Sequence, residues 1–299
     1  MEPKGKLIVV GGAVDKGSFT EKIDEKGILK NFNFFEQGIL RRIITESRLN
    51  GDSRIEVITT ASQIPEEVGH EYQKAFNYLG AMNLGLLGIK TREEANAQEV
   101  NDRMAQADIV MFTGGDQLRL TSILGGTAFH RSLLAKYHSE DVVIAGTSAG
   151  AAACSHNMIY QGSATEALLK GQVMITSGLG FINHVIIDTH FVHRGRIGRL
   201  FQAVVGNPMV LGIGLGEDTG LLILNGKKME ALGSGLVILV DGRFIHDTNL
   251  TEIELGEPIS IEHLVVHVMA KGSLYDLETH KLTVHKADRR LQLKNLPPD

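Results

Sequence analysis

The sequence predicts an α/β fold with a mostly parallel sheet, and two observations carry that expectation. Short apolar runs alternate with longer stretches of helical period. The apolar runs are also unbroken rather than alternating, as in strands covered on both faces. The leading runs are residues 6–10, 54–60, 108–113 and 141–145, and the stretches with apolar residues three or four apart are 33–50, 67–79 and 118–137. Strand followed by helix, repeated, is the βαβ pattern of a parallel sheet.

Ligand sites in such sheets collect at the carboxyl ends of the strands. Three of these four runs end there in glycine: Gly11-Gly12, Gly114-Gly115 and Gly146. Taken singly, each pair can equally open an ordinary tight turn. After Phe191 the texture changes. Runs at 221–224, 236–240 and 264–269 are separated by Asn225-Gly226, Asp241-Gly242 and Lys271-Gly272, which read as hairpin signals. The second half is therefore expected to add antiparallel strands to an edge of the sheet or beside it. No linker or repeat divides the chain. Residues 1–285 are expected to form a single α/β domain and 286–299, ending in Pro-Pro-Asp, a frayed tail.

Composition narrows the function. Of 299 residues, 43% are hydrophobic and 22% charged, the usage of a soluble globular chain. A net charge of −5 argues against a nucleic-acid binder, which would carry a basic excess. A single cysteine, Cys154, excludes an internal disulfide framework and fits a reducing compartment. The apolar start stops at a glycine pair without a secretion-type core, and no apolar stretch is long enough to span a membrane. A cytoplasmic location with no membrane partner is expected.

The strongest chemical signal is the strand-to-helix elbow Gly146-Thr147-Ser148-Ala149-Gly150. A nucleophilic hydroxyl needs a sharp turn with nothing bulky beside it, and small residues allow that. The N–H of Ala149, at a helix start, can stabilise an oxyanion, and the Gly114-Gly115 turn offers Gly115 as a second donor, with Gln117 beside it. A base is supplied by His190, which an apolar run delivers to a strand end; His193 is its local competitor. The carboxylate that orients the imidazole is left open among Glu217, Glu166, Asp188 and Asp218. Arg194, Arg196 and Arg199 lie next to the base, and guanidinium forks suit a carboxylate-bearing substrate.

Taken together, GGDQ, GTSAGA, DTHFVHRGRIGRL and GEDTG resemble the serine peptidase family that contains the cyanophycinases and the aspartyl dipeptidase peptidase E. The resemblance implies a three-layer α/β/α fold like that of class I glutamine amidotransferases, as a homodimer. It implies hydrolysis of cyanophycin, a poly-aspartate with arginine on each β-carboxyl, to β-Asp-Arg dipeptides, without metal or cofactor. By motif, Ser148 would be nucleophile, His190 base and Glu217 its orienter, with Glu166 as the alternative. Gln117, Asp188, Arg194, Arg196 and Arg199 would line the pocket for a β-linked aspartyl unit. An isoaspartyl dipeptidase of the same family is the nearest other reading.

Three further readings have specific requirements. A nucleotide-binding module could use Gly11-Gly12, but GGAVDKGS lacks Gly-x-Gly-x-x-Gly and has Ser18 where a P-loop has lysine. A thiol enzyme of similar fold would hold cysteine in the elbow, whereas Cys154 lies six residues beyond Ser148. A lipase-type hydrolase would carry His-Gly-Gly-Gly, which is missing.

Overall fold

The run Lys6–Val10 forms β1, buried along its length except at Lys6, and the rest of the chain is laid out from it. The computed structural model describes residues 2–17 and 38–286. In a nine-stranded sheet, β1 is followed on its parallel side by β5 (Val143–Thr147), β4 (Ile109–Phe112), β2 (Ile55–Ile58) and β3 (Leu84–Leu87). Every residue of β2, β4 and β5 is buried, which suits their largely apolar sequences; the buried charge in β2, Glu56, is paired with Arg54 and Arg103. On the other side of β1 lie β10 (Thr219–Leu224), β11 (Lys228–Gly233), β16 (Leu274–Asp276) and β17 (Lys281–Thr283), all antiparallel. Asn225 and Gly226, with φ of 56° and 69°, make the left-handed turn between β10 and β11, closed by the Lys227 N–H on the Leu224 carbonyl.

Helices cover both faces. The apolar stripes of α1 (Ile39–Glu46) and α2 (Pro65–Tyr78) pack on one side. On the other lie α3 (Arg92–Asn96), α4 (Gln98–Ala105), α5 (Gln117–Leu124), α6 (Ala128–Ser139) and α7 (Ala149–Ala153). The single helix expected over 118–137 is two. Gly125 and Gly126 end α5, and the Thr127 hydroxyl caps α6 by accepting from the His130 N–H. Of the periodic stretch 33–50, residues 33–37 lie outside the described residues, as do Ser18 and the tail beyond Lys286.

A second, six-stranded sheet runs β15 (Val265–Met269), β12 (Val237–Asp241), β9 (Leu211–Leu215), β8 (Ile182–Asp188), β6 (Ser155–Gly162) and β7 (Val173–Ser177). One face joins the core around α7, and the other is covered by α8 (Ile197–Gly206). The sequence expectation of antiparallel additions is met by β10, β11, β16 and β17. This sheet goes further, because β6, β8 and β9 run parallel. Asp241-Gly242 does not close a hairpin: the chain passes through β13 (Asp247–Thr248) and β14 (Ile261–Glu262) before β15 pairs with β12. Lys271-Gly272 carries the chain from β15 in one sheet to β16 in the other. A turn dipeptide fixes a local reversal of the backbone, not the strand that the next segment will join.

Candidate active site

The carboxyl ends of β1 and β5 in the first sheet meet those of β8 and β9 in the second, and the sequence-picked residues converge there. Three successive carbonyls leaving β1 act as a rack. Val10 O accepts from the N–H of Ser148 at 2.8 Å, Gly11 O from that of His190 at 2.9 Å, and Gly12 O from that of Asp218 at 2.9 Å. Backbone, not side chains, thus sets the three segments in register.

Ser148 sits in the elbow with φ 52° and ψ −112°, a conformation costly for a non-glycine residue and held by the turn around it. The elbow closes because its glycines leave room. A β-carbon on Gly146 would stand 2.5 Å from the Gly150 carbonyl oxygen, and one on Gly150 would stand 2.5 Å from that of Phe112. The Ser148 Oγ lies 2.8 Å from His190 Nε2, and His190 Nδ1 lies 2.6 Å from Glu217 Oε1. The contact to Glu217 fixes the tautomer: Nδ1–H donates to the carboxylate, leaving Nε2 to accept from the serine hydroxyl. The other carboxylate oxygen, Glu217 Oε2, is buried with no hydrogen-bond partner among the described residues. His190, like Ser148, has positive φ, at 52°. Gly12 lies against its ring, so close that an added β-carbon would come within 2.2 Å of Cε1.

Gly114 follows β4 beside the serine; a β-carbon there would stand 3.4 Å from that of Ser148. Gly115, with φ 145°, presses against the Ala61 carbonyl. Ala149 is the first residue of α7, where N–H groups lack intrahelical partners. Gln117 opens α5 and donates from Nε2 to the carbonyls of Ile159 and Tyr160 at 3.1 and 3.4 Å, so its amide nitrogen is tied to β6.

The charged residues divide into two kinds. Asp188, at the end of β8, is 2% exposed and bound bidentately by Arg199, with Nε and Nη2 each 2.8 Å from a carboxylate oxygen. Arg199 also donates to the Gly162 carbonyl and is itself buried. Burial pushes the Asp188 carboxyl above the usual aspartate value, against the pull of Arg199 and Arg196. Both members of this pair are buried, and Asp188 stands two residues before His190. Arg196 is half-buried, donating to the Thr189 carbonyl at 2.8 Å and reaching Asp188 at 3.4 Å. Burial and the neighbouring Arg199 push its pKa down. Arg194 is exposed, and its guanidinium makes no hydrogen bond or ion pair among the described residues.

Of the other carboxylates proposed to orient the base, Glu166 lies on the exposed link between β6 and β7, where its N–H donates to Ser163 Oγ. Asp218 clamps the site instead: its carboxylate accepts from the Asp15 N–H at 3.2 Å and the Ser234 hydroxyl at 2.8 Å. His193 is exposed. Cys154 is wholly buried past the end of α7, and burial pushes its thiol up to about 12, so it carries no thiolate for chemistry near neutral pH. Sequence reasoning missed the rack of Gly11 and Gly12 and the Asp218 clamp. The one signal present was the glycine pair at the end of the first run, whose carbonyls accept from the N–H groups of His190 and Asp218.

Comparison with known proteins adds a family. The model of peptidase family S51 matches residues 35–231. A cyanophycinase of Geminocystis herdmanii is 32% identical over 93% of this chain and 96% of its own length. One from Trichormus variabilis is 33% identical over 96% and 90%, and one from Synechococcus elongatus 32% over 93% and 81%. Among solved structures, a peptidase from an acI-B1 Actinobacterium superposes with a TM-score of 0.57 at 20% identity, covering 87% of this chain and 96% of that one, which supports the fold.

Proposed function

The chain belongs to peptidase family S51 and is a serine-type peptidase, and from that premise we propose that it hydrolyses cyanophycin to β-Asp-Arg dipeptides through an acyl-enzyme on Ser148. The observation that carries the reading is the unbroken run of hydrogen bonds from Ser148 Oγ through the His190 ring to Glu217 Oε1. The substrate comes from the relatives, which are cyanophycinases over nearly their whole length.

In the proposed reaction the Ser148 Oγ attacks the scissile carbonyl carbon while its proton passes to His190 Nε2. The carbonyl oxygen becomes an oxyanion facing the N–H groups of Gly115 and Ala149. As the tetrahedral species collapses, His190 returns the proton to the leaving amine and the C–N bond breaks, leaving an ester on Ser148. Water, deprotonated by His190, then attacks the ester, and the serine recovers its proton. Glu217 stabilises the imidazolium formed in both halves, and its unpartnered second oxygen leaves that charge uncompensated by any other hydrogen bond.

Specificity follows from charge. In cyanophycin the α-carboxyls are spent in backbone amides, but each unit carries a free carboxylate on its arginine that an ordinary peptide lacks. In this reading Arg194 and the uncommitted part of the Arg196 fork receive it, while Asp188 and Arg199 hold the floor on which they stand. A peptide without those arginine carboxylates would leave the cations unpaired, which is a penalty against the wrong substrate. The enzyme is further proposed to act in the cytoplasm as a homodimer.

The test is a product assay. Purified protein is given cyanophycin and, separately, isoaspartyl dipeptides, and the release of β-Asp-Arg is followed by mass spectrometry. Cleavage of the polymer to β-Asp-Arg is the expected result. Turnover of dipeptides alone would make it an isoaspartyl dipeptidase, the second activity compatible with the same triad and arginines.

A further inference from the structure

Beyond the triad, the same carboxyl edge of the first sheet carries a second depression that the proposed reaction does not use. It is a cavity of about 330 Å³ where the chain leaves β2 and β3, walled by Thr60, Ser62, Gln63, Lys90 and Arg119 among others. That volume is within the range of small-ligand pockets. None of its lining residues is acidic, and two are cations. The Lys90 ammonium makes no hydrogen bond or ion pair among the described residues. Arg119 spends only Nε, donating to the Thr60 carbonyl at 2.9 Å, so both terminal nitrogens remain for another acceptor. The nearby Glu94 carboxylate is already engaged, accepting from the Lys90 N–H at the start of α3. On the wall, the buried Thr60 hydroxyl has no hydrogen-bond partner.

The cavity is mechanically joined to the candidate oxyanion loop. Asp116 N–H donates to Ala61 O at 2.9 Å, and Gly115 packs on that same carbonyl, so the wall at Thr60–Ser62 and the Gly114-Gly115 turn form one body. The strand order β5-β4-β2-β3 puts the cavity two to three strands from the serine. At about 4.8 Å per strand, that separation is about 10–15 Å. An extended chain covers it in about three to four residues, at about 3.3 Å each.

We infer that this cavity is a remote subsite for a free carboxylate of the substrate chain, held by Lys90 and Arg119 about three to four residues from the scissile link. The identity of the chain rests on the cyanophycin reading, in which every unit carries a carboxylate on its arginine. The subsite would favour a polymer over a short peptide by engaging a unit that the short peptide lacks.

Charge-graded substitution at exposed Lys90 tests it. In the series Lys90→Arg, Lys90→Gln and Lys90→Glu, KM for cyanophycin should stay near wild type, rise about threefold and rise about tenfold. The ratio of polymer to two-unit-fragment kcat/KM should fall in the same order, and the effect should shrink as salt is raised. A second arm needs no turnover: calorimetric binding of poly-L-aspartate should weaken in that order. Equal KM and equal poly-L-aspartate binding in wild type and Lys90→Glu would overturn the inference, as would wild type that binds no poly-L-aspartate. Failure of wild type to cleave cyanophycin at all would instead sink the function proposed above, leaving the binding arm to decide the subsite.

Discussion

The two sheets build their halves of the candidate site by opposite means. At the edge of the first sheet the work is done by absence of side chains: Gly12, Gly114, Gly146 and Gly150 leave space, and bare carbonyls of Val10, Gly11 and Gly12 supply the bonds. At the edge of the second sheet it is done by charged and titratable side chains, His190, Glu217, and the Asp188–Arg199 pair beneath them. The difference teaches where each half is fragile. One methyl group should injure the first, and one charge should injure the second.

The largest expected effect tests the joint between them. Ser148→Ala should cut kcat by about 10⁴-fold or more while the far-UV circular dichroism stays that of wild type, because removing one member of a nucleophile–base pair costs nearly as much as removing all. Undiminished turnover in that variant would break the whole assignment. Next comes charge in the second sheet. Glu217→Gln should lower kcat by about 10³–10⁴-fold through loss of the tautomer and of the counter-charge, whereas Glu166→Gln, made alongside it, should leave kcat near wild type. The opposite ranking would move the orienting role to Glu166.

The methyl test on the first sheet is smaller. Gly12→Ala would put a carbon 2.2 Å from the His190 ring at a φ of 139°, so the ring must shift, and kcat should fall by about 10²-fold with both charges intact. An unchanged kcat would show that the rack has slack. Asp188→Asn should slow turnover less than Gly12→Ala does, because its injury appears as stability. Leaving Arg199 buried and unpaired should cost about 3–5 kcal/mol of unfolding free energy in urea denaturation. A loss of activity without loss of stability would return Asp188 to the substrate pocket.

The same contrast explains what the sequence disclosed. Strands β1, β4 and β5 were legible because burial on both faces leaves nearly continuous apolar runs, and β2 was legible despite its ion-paired Glu56. The elbow was legible because a strained serine demands small neighbours at fixed spacing. The second sheet was not legible as a separate body: its outer strands have mixed faces, as in the half-exposed β7 and β15, and sheet membership depends on partners far away in sequence. His190 and Glu217 were therefore legible as residues, while the sheet whose strands carry them was not. The arginines are legible in the sequence as a group near His190, yet only packing separates Arg199, buried on Asp188, from Arg194, left open. The cavity beside Lys90 left no local motif, since its walls come from two strand ends and a helix.

Because the serine hangs from one sheet and its base from the other, the bond between them is also a gauge of how the two sheets are docked. The 2.8 Å contact survives only while β1 and β8 keep their present offset. Mild denaturant or pressure that slides the sheets by an ångström, without melting either, would silence the enzyme while its spectra still read as folded. Activity in this chain is then a ruler laid across an internal seam, reporting alignment before it reports stability.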